Sequence, residues 1–147
     1  MKEKFYWQER PWTCGAAALR IAAFNLGIRR KEEYFVKKLK TTIKSGTKNK
    51  SFIKVVRSFK LDYKYGKGSI GLLRKLKSEG YEIIVNYFSV IQNTGHYAVV
   101  KKITRKDIFL DDPALGPNKK YHLTYFRKTW YSQVDKDKKW FLAIKKK

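Results

Sequence analysis

Residues 15–26 (GAAALRIAAFNL) carry only two strongly polar side chains, Arg20 and Asn25, so a helix over this stretch is apolar on nearly every face. Such a helix is stable only when protein surrounds it, and the remaining chain must therefore form a shell around it. Pro11 stiffens the approach. Thr13 is the expected N-cap, its hydroxyl accepting from a free first-turn N–H, and Gly27 is the expected stop. Cys14, the one cysteine in the chain, falls at the helix start. A thiol there sits at the positive end of the helix dipole, which favours the nucleophilic thiolate. A free cysteine also serves as a small buried hydrophobe, so position alone only nominates Cys14.

The shell can be built. With 147 residues, 43% of them hydrophobic and 16% aromatic, the chain can bury a core, which excludes a disordered basic tail. A single cysteine forms no internal disulfide and no cysteine metal cluster, so no metal, cofactor or oxidising compartment is called for. The N-terminal MKEKFYWQER lacks an apolar signal core, and no run reaches the length of a membrane span. The expected location is the cytoplasm. A net charge of +23 would attract nucleic acid, anionic lipid or an acidic polypeptide. The lysines are scattered through every segment, which describes a solvated basic surface and no specific nucleic-acid groove.

Beyond the first helix, residues 29–40 read as a short amphipathic helix with Tyr34, Phe35 and Leu39 near one face, and 41–50 as a polar loop. Phe52, Val55, Val56 and Phe59 have the spacing of a helix face. A short strand is expected at 61–65. Ser69 caps a further helix through Glu79, with Ile70, Leu73 and Leu76 as its buried stripe and Gly80 at its end. The pattern then turns to strands: 82–88, 96–103, 107–111, 121–125 and 139–144, with a loop at 112–118 and one helical turn at 126–131. Helices first and strands second give an α+β fold, one domain over 1–147, with a helical lobe over about 1–80 and a sheet lobe over about 81–147. Gly66–Ser69 (GKGS) lacks the frame of a phosphate-binding loop.

Of the two histidines, His122 lies in a lysine-rich segment that reads as surface, whereas His96 opens a strand after Gly95. Asp112 ends the next strand, and antiparallel pairing brings a residue near the start of one strand beside one near the end of its neighbour. A carboxylate there accepts from one imidazole nitrogen and leaves the other for a thiol. Asp111 is the competitor, but adjacent strand residues point to opposite faces, so only one of the pair reaches His96. The amide of Gln8 is a candidate to join the Cys14 N–H in holding the oxyanion of an acyl transfer.

The order Gln8, Cys14, His96, Asp112 resembles the double-glycine leader peptidases, papain-like cysteine peptidases that mature bacteriocins and related secreted peptides. The residues carrying the resemblance are Gln8, the run Thr13–Cys14–Gly15–Ala16–Ala17, the run Gly95–His96–Tyr97–Ala98–Val99–Val100, and Asp112–Pro113 with Gly116. Ser45–Gly46–Thr47 is similar to the family's middle region. The resemblance implies Cys14 as nucleophile, His96 as general base and acid, Asp112 as its orienter and Gln8 as oxyanion donor, in a papain-like fold with a helical lobe facing a sheet lobe. It implies cleavage after a Gly-Gly-type leader junction, in a narrow cleft for which Trp12, Gly95 and Tyr97 are lining candidates. Thr13 stands where the family usually has Asp or Glu, and without spans or an ATPase the chain reads as a stand-alone version with a separate exporter and an acidic leader as substrate. Two other readings stand beside it. The same residues serve an acyltransferase, deamidase or isopeptidase, and the charge alone would suit a non-catalytic module that binds polyanions.

Overall fold

A computed structural model describes residues 4–147. The apolar helix is α1 (Cys14–Asn25), buried from Gly15 to Leu19 and again from Ile21 to Ala23. Gly27, at φ 84°, ends it as expected. Thr13 flanks the helix but does not cap it. Its Oγ1 donates to the Arg10 carbonyl at 2.9 Å and accepts from the Arg10 N–H at 3.1 Å, closing a turn ahead of the helix. The first-turn N–H groups are thus left uncapped, which matters at the site.

Two short helices follow, α2 (Glu32–Leu39) and α3 (Ser51–Ser58). Next come β1 (Asp62–Lys67) and α4 (Ile70–Ser78), the latter capped by Ser69, whose Oγ accepts from the Leu72 N–H at 3.1 Å. The remaining elements are β2 (Glu82–Ser89), β3 (Thr94–Ile103), β4 (Asp107–Asp112), β5 (Gly116–His122), α5 (Leu123–Thr129) and β6 (Trp140–Lys145). The six strands form one antiparallel sheet in the order β1-β6-β2-β3-β4-β5.

Strand alternation splits the core into two layers. On one face Ile84, Tyr97, Val99, Leu142 and Ile144 pack under α1, α2 and α3. On the other, Ile83, Val85, Ala98, Val100, Phe141 and Ala143 pack with Leu73 and Leu76 of α4 and Phe126 of α5. Central β2 and β6 are covered on both faces, which is why their sequences read as continuous apolar runs.

The α+β class holds, but the lobes do not divide at residue 80. β1 lies in the sheet, paired with β6, and α4 backs the face opposite α1. Local pattern marks β1 as a strand and carries no information about a partner so distant in sequence. Two boundaries also move. β5 begins at Gly116 instead of Tyr121, because Asp112 and Gly116 pair across a tight turn and Gly116 adopts φ 125° there. The expected helical turn starts three residues earlier, as α5.

Candidate active site

The start of α1, the first turns of β3 and the end of β4 meet at a cleft of about 640 Å³. Cys14, Gln8, Trp12, Gly95, His96 and Tyr97 all line it, and Asp112 lies behind His96. His96 is 5% exposed and Asp112 fully buried. Their Nδ1 and Oδ2 atoms are 3.0 Å apart.

Asp112 accepts four bonds. Oδ1 takes the N–H groups of Ala114 (2.8 Å) and Leu115 (3.1 Å), and Oδ2 takes His96 and the hydroxyl of Tyr87. Burial by itself would raise this carboxyl, but the bonds and charge from His96, with those from Tyr87 and Ala114, outweigh it and hold it below the ordinary carboxylate value. An ionised Asp112 can only accept, so the Nδ1 of His96 carries the proton and Nε2 is left for the cleft. Asp111, the competitor, turns the other way and accepts from the Asn118 N–H at 2.9 Å.

Tyr87 was not among the sequence candidates. It faces His96 across the β2–β3 ladder, and its hydroxyl lies 3.3 Å from that of Tyr121. Burial and the neighbouring Asp112 charge push its ionisation far up, so it stays a donor. The available signal was the polar pair Asn86–Tyr87 inside an otherwise apolar central strand.

The thiol differs from expectation. Withdrawal from water raises Cys14 from the ordinary 9.0 to about 11, and the negative charge of Asp112 adds to this. The N–H groups of Tyr97, Gly15 and Cys14 itself pull it the other way without prevailing. The helix-start argument is therefore right in sign and too small: burial dominates. The Gly15 and Cys14 groups belong to the uncapped helix start, and the Tyr97 group comes from β3. They surround the sulfur with donors and bring it beside the residue that follows His96.

Gln8 reaches the cleft on the strap that precedes α1. Its Nε2 donates to the Arg10 carbonyl at 2.9 Å, and its Oε1 is buried with no hydrogen-bond partner among the described residues. An amide nitrogen has two hydrogens, so one fixes the side chain and the second remains. The strap is held by Glu32, a buried carboxylate on α2 whose oxygens accept from the Glu9 N–H at 3.0 and 3.3 Å.

Asn49 organises the opposite wall. Its Oδ1 accepts from Asn86 Nδ2 (2.9 Å) and from the Tyr97 hydroxyl (2.7 Å), while its Nδ2 donates to Asp137 (2.8 Å) and its backbone N–H to Asp135 (3.0 Å). Tyr97 is accordingly a core residue that presents an edge to the cleft, its ring packed on Phe52 at 5.0 Å. Gly15 is forced by close approach: a Cβ there would stand 2.7 Å from Thr47 Cβ. The cleft is balanced in charge, with Arg10 and Lys44 against Glu9 and Asp135, so the excess of +23 lies elsewhere on the molecule.

The sequence matches the family model described as the Peptidase C39 family over residues 2–134. Comparison with curated proteins gives no match. Among solved structures, the chain is similar to the peptidase domain of Streptococcus ComA, a bi-functional ABC transporter involved in a quorum-sensing pathway, with 18% identity and a TM-score of 0.81 over 99% of this chain and 100% of that one. It is similar to a double-glycine motif protease from an AMS/PCAT transporter, solved in complex with the leader peptide, at 22% identity and a TM-score of 0.77 over 99% and 93%. A C39-like peptidase from Bacillus anthracis superposes with a TM-score of 0.79 at 12% identity over 99% and 96%. The fold is that of papain-like C39 peptidase domains. No helix of the described residues is long and apolar enough to cross a membrane.

Proposed function

Because the chain belongs to the Peptidase C39 family, and is thus a cysteine peptidase, we propose that it cleaves a leader from a precursor peptide after a Gly-Gly-type junction, with Cys14, His96, Asp112 and Gln8 as its working residues. The observation that carries this reading is the buried His96–Asp112 pair at 3.0 Å, with Cys14 and His96 lining one cleft.

At rest the thiol holds its proton. As Cys14 attacks the scissile carbonyl, that proton passes to Nε2 of His96, and Asp112 steadies the resulting imidazolium. The carbonyl oxygen becomes an oxyanion, met by the uncapped N–H at the helix start and the free hydrogen of the Gln8 amide. His96 then protonates the leaving amine, which departs and leaves a thioester. Water, deprotonated by His96, releases the leader acid and restores the thiol.

The solved neighbour in complex with a leader peptide supports a peptide substrate of this kind. Gly15 lets Thr47 pack directly against the start of α1, which brings the 45–47 loop to the cleft wall beside Cys14. An acidic leader would be drawn by the cationic surface around a charge-balanced cleft. The reading extends to bacteriocin-type maturation in the cytoplasm, with the product handed to an exporter, a partnership drawn from the transporter-borne neighbours. The test is cleavage of matched peptides with Gly-Gly or Ala-Ala at the junction by the wild type and Cys14→Ala. Cleavage confined to the Gly-Gly peptide and absent in the variant is expected. Equal cleavage of both peptides would remove the specificity, and residual activity in the variant would remove Cys14.

A further inference from the structure

Two of the four donors to the buried Asp112 carboxylate share one oxygen. Ala114 and Leu115 hold Oδ1 through their backbone N–H groups. Oδ2 receives both the Nδ1 of His96, at 3.0 Å, and the hydroxyl of Tyr87. An ionised carboxylate offers about four lone-pair sites, so these donors fill it. His96 and Tyr87 are partners across the β2–β3 ladder, and their rings meet edge to face at 6.1 Å. Tyr87 is 1% exposed, so its hydroxyl is committed to the interior.

Proton count fixes the direction of each bond. Tyr87 has one hydroxyl proton and Asp112 can only accept, so that proton points at Oδ2. The Tyr87 oxygen then accepts from Tyr121, whose hydroxyl lies 3.3 Å away. Tyr121, in β5, is half-buried, and its ring stacks on that of Tyr125 in α5 at 5.8 Å and 13°. The chain from Tyr121 through Tyr87 to Asp112 therefore runs one way, and each donor polarises the next. Burial raises the ionisation of both phenols, so both keep their protons at neutral pH.

We propose that Tyr87, supported by Tyr121, is a positioning residue of the peptidase: it shares Oδ2 with His96 and so sets how tightly Asp112 holds the imidazole. The inference rests on the catalytic roles proposed for Cys14, His96 and Asp112. Negative charge drawn toward the Tyr87 proton is charge withdrawn from the His96 bond. A carboxylate bound to His96 without this competitor would grip the imidazolium harder, and the imidazolium would release its proton to the leaving amine more slowly. Tyr87 thus balances His96 between taking the thiol proton and passing it on, the condition that acid–base catalysis favours.

The experiment uses the full chain and three variants, Tyr87→Phe, Tyr121→Phe and Tyr125→Phe, each of which removes one hydroxyl and keeps its ring. The first readout is the proton resonance of the His96 Nδ1–H in isotope-labelled protein. The chain has two histidines, so His122→Asn assigns the signal. Tyr87→Phe should move it downfield, Tyr121→Phe should move it the same way by less, and Tyr125→Phe should leave it in place. The second readout is cleavage of the Gly-Gly peptide. With KM unchanged, kcat should fall about tenfold in Tyr87→Phe and about threefold in Tyr121→Phe, a fraction of the about 10²–10⁴-fold that acid–base transfer supplies. A resonance that stays in place in Tyr87→Phe, or one that moves while kcat does not, would overturn the proposal. An equal shift in Tyr125→Phe would also overturn it, by assigning the effect to the aromatic cluster as a whole. Tyr121 lies nearer the surface, so its variant carries the same test if Tyr87→Phe does not fold, and an unmoved resonance there breaks the chain. A wild type that cleaves no Gly-Gly peptide fails the proposed function, while the resonance still decides whether Tyr87 and Tyr121 act on His96.

Discussion

The backbone N–H of Gln8 donates to the carbonyl of Pro113 at 3.0 Å. This bond joins the strap ahead of the candidate nucleophile to the residue that follows the histidine's carboxylate. The strap is thereby registered on the β4–β5 turn as well as on α2 through Glu32, by main-chain bonds that do not involve the Gln8 amide.

That separation makes Gln8 testable. Gln8→Ala keeps the backbone bond to Pro113 and removes the amide together with its exposed bond to the Arg10 carbonyl. Its kcat should fall by about 10²–10³-fold, equivalent to about 2.7–4 kcal/mol of transition-state stabilisation, with KM little changed. Thermal unfolding should stay within about 0.5 kcal/mol of the wild type. An unchanged kcat in a well-folded variant would assign the oxyanion to backbone donors alone.

Tyr87→Phe removes one donor to Asp112 and almost no volume. Bonds to charged groups contribute about 1.5–3 kcal/mol, and the variant should be destabilised by that order at neutral pH. The sign with pH follows from the lowered Asp112 carboxyl. Its contribution is present above the unfolded carboxylate value and is lost as pH falls through the folded one. With Tyr87 gone the folded carboxyl moves back toward its ordinary value, so the gap between variant and wild type should shrink in acid. Denaturant titrations at neutral pH and at pH near 3 measure it, and a gap that persists in acid would mean Tyr87 acts through packing.

The Cys14 thiol gives a third expectation. Being the only cysteine, it can be alkylated without ambiguity in the intact chain. Iodoacetamide labelling of the folded protein should rise with pH well past 9.0 and reach half its maximum at about 11, while the unfolded chain is half-maximal near 9.0. The folded value lies above the unfolded one, so the corresponding stability is complete below 9.0 and disappears as pH climbs to about 11. A labelling plateau at neutral pH would show a preformed thiolate and contradict burial as the controlling influence.

Much of this was legible in the sequence because it is local. The apolar run of α1, the Ser69 cap, the alternation of β3 and the parity that separates Asp111 from Asp112 are all short-range patterns, and the structure reproduces them. The Thr13 cap failed because a competing donor, the Arg10 N–H, lies three residues away and takes the hydroxyl oxygen. The thiol's ionisation was misjudged because helix position is visible in sequence and burial by β3 is not. Asn49 gave no signal at all. Its partners come from three distant segments, and only the folded sheet end brings Asn86, Tyr97 and the two aspartates of the 132–137 loop to one amide.

β6 lies between β1 and β2. β6 is therefore the strand that joins β1 to the rest of the sheet. A nascent chain that has reached Lys139 already contains every candidate catalytic residue, yet β1 has no partner and β2 carries an open edge. The floor under α1, built partly from Trp140, Leu142 and Ile144, is also missing. β6 is thus the clasp of the fold: it alone ties β1 to β2, and it supplies part of the bed on which the helix carrying Cys14 rests.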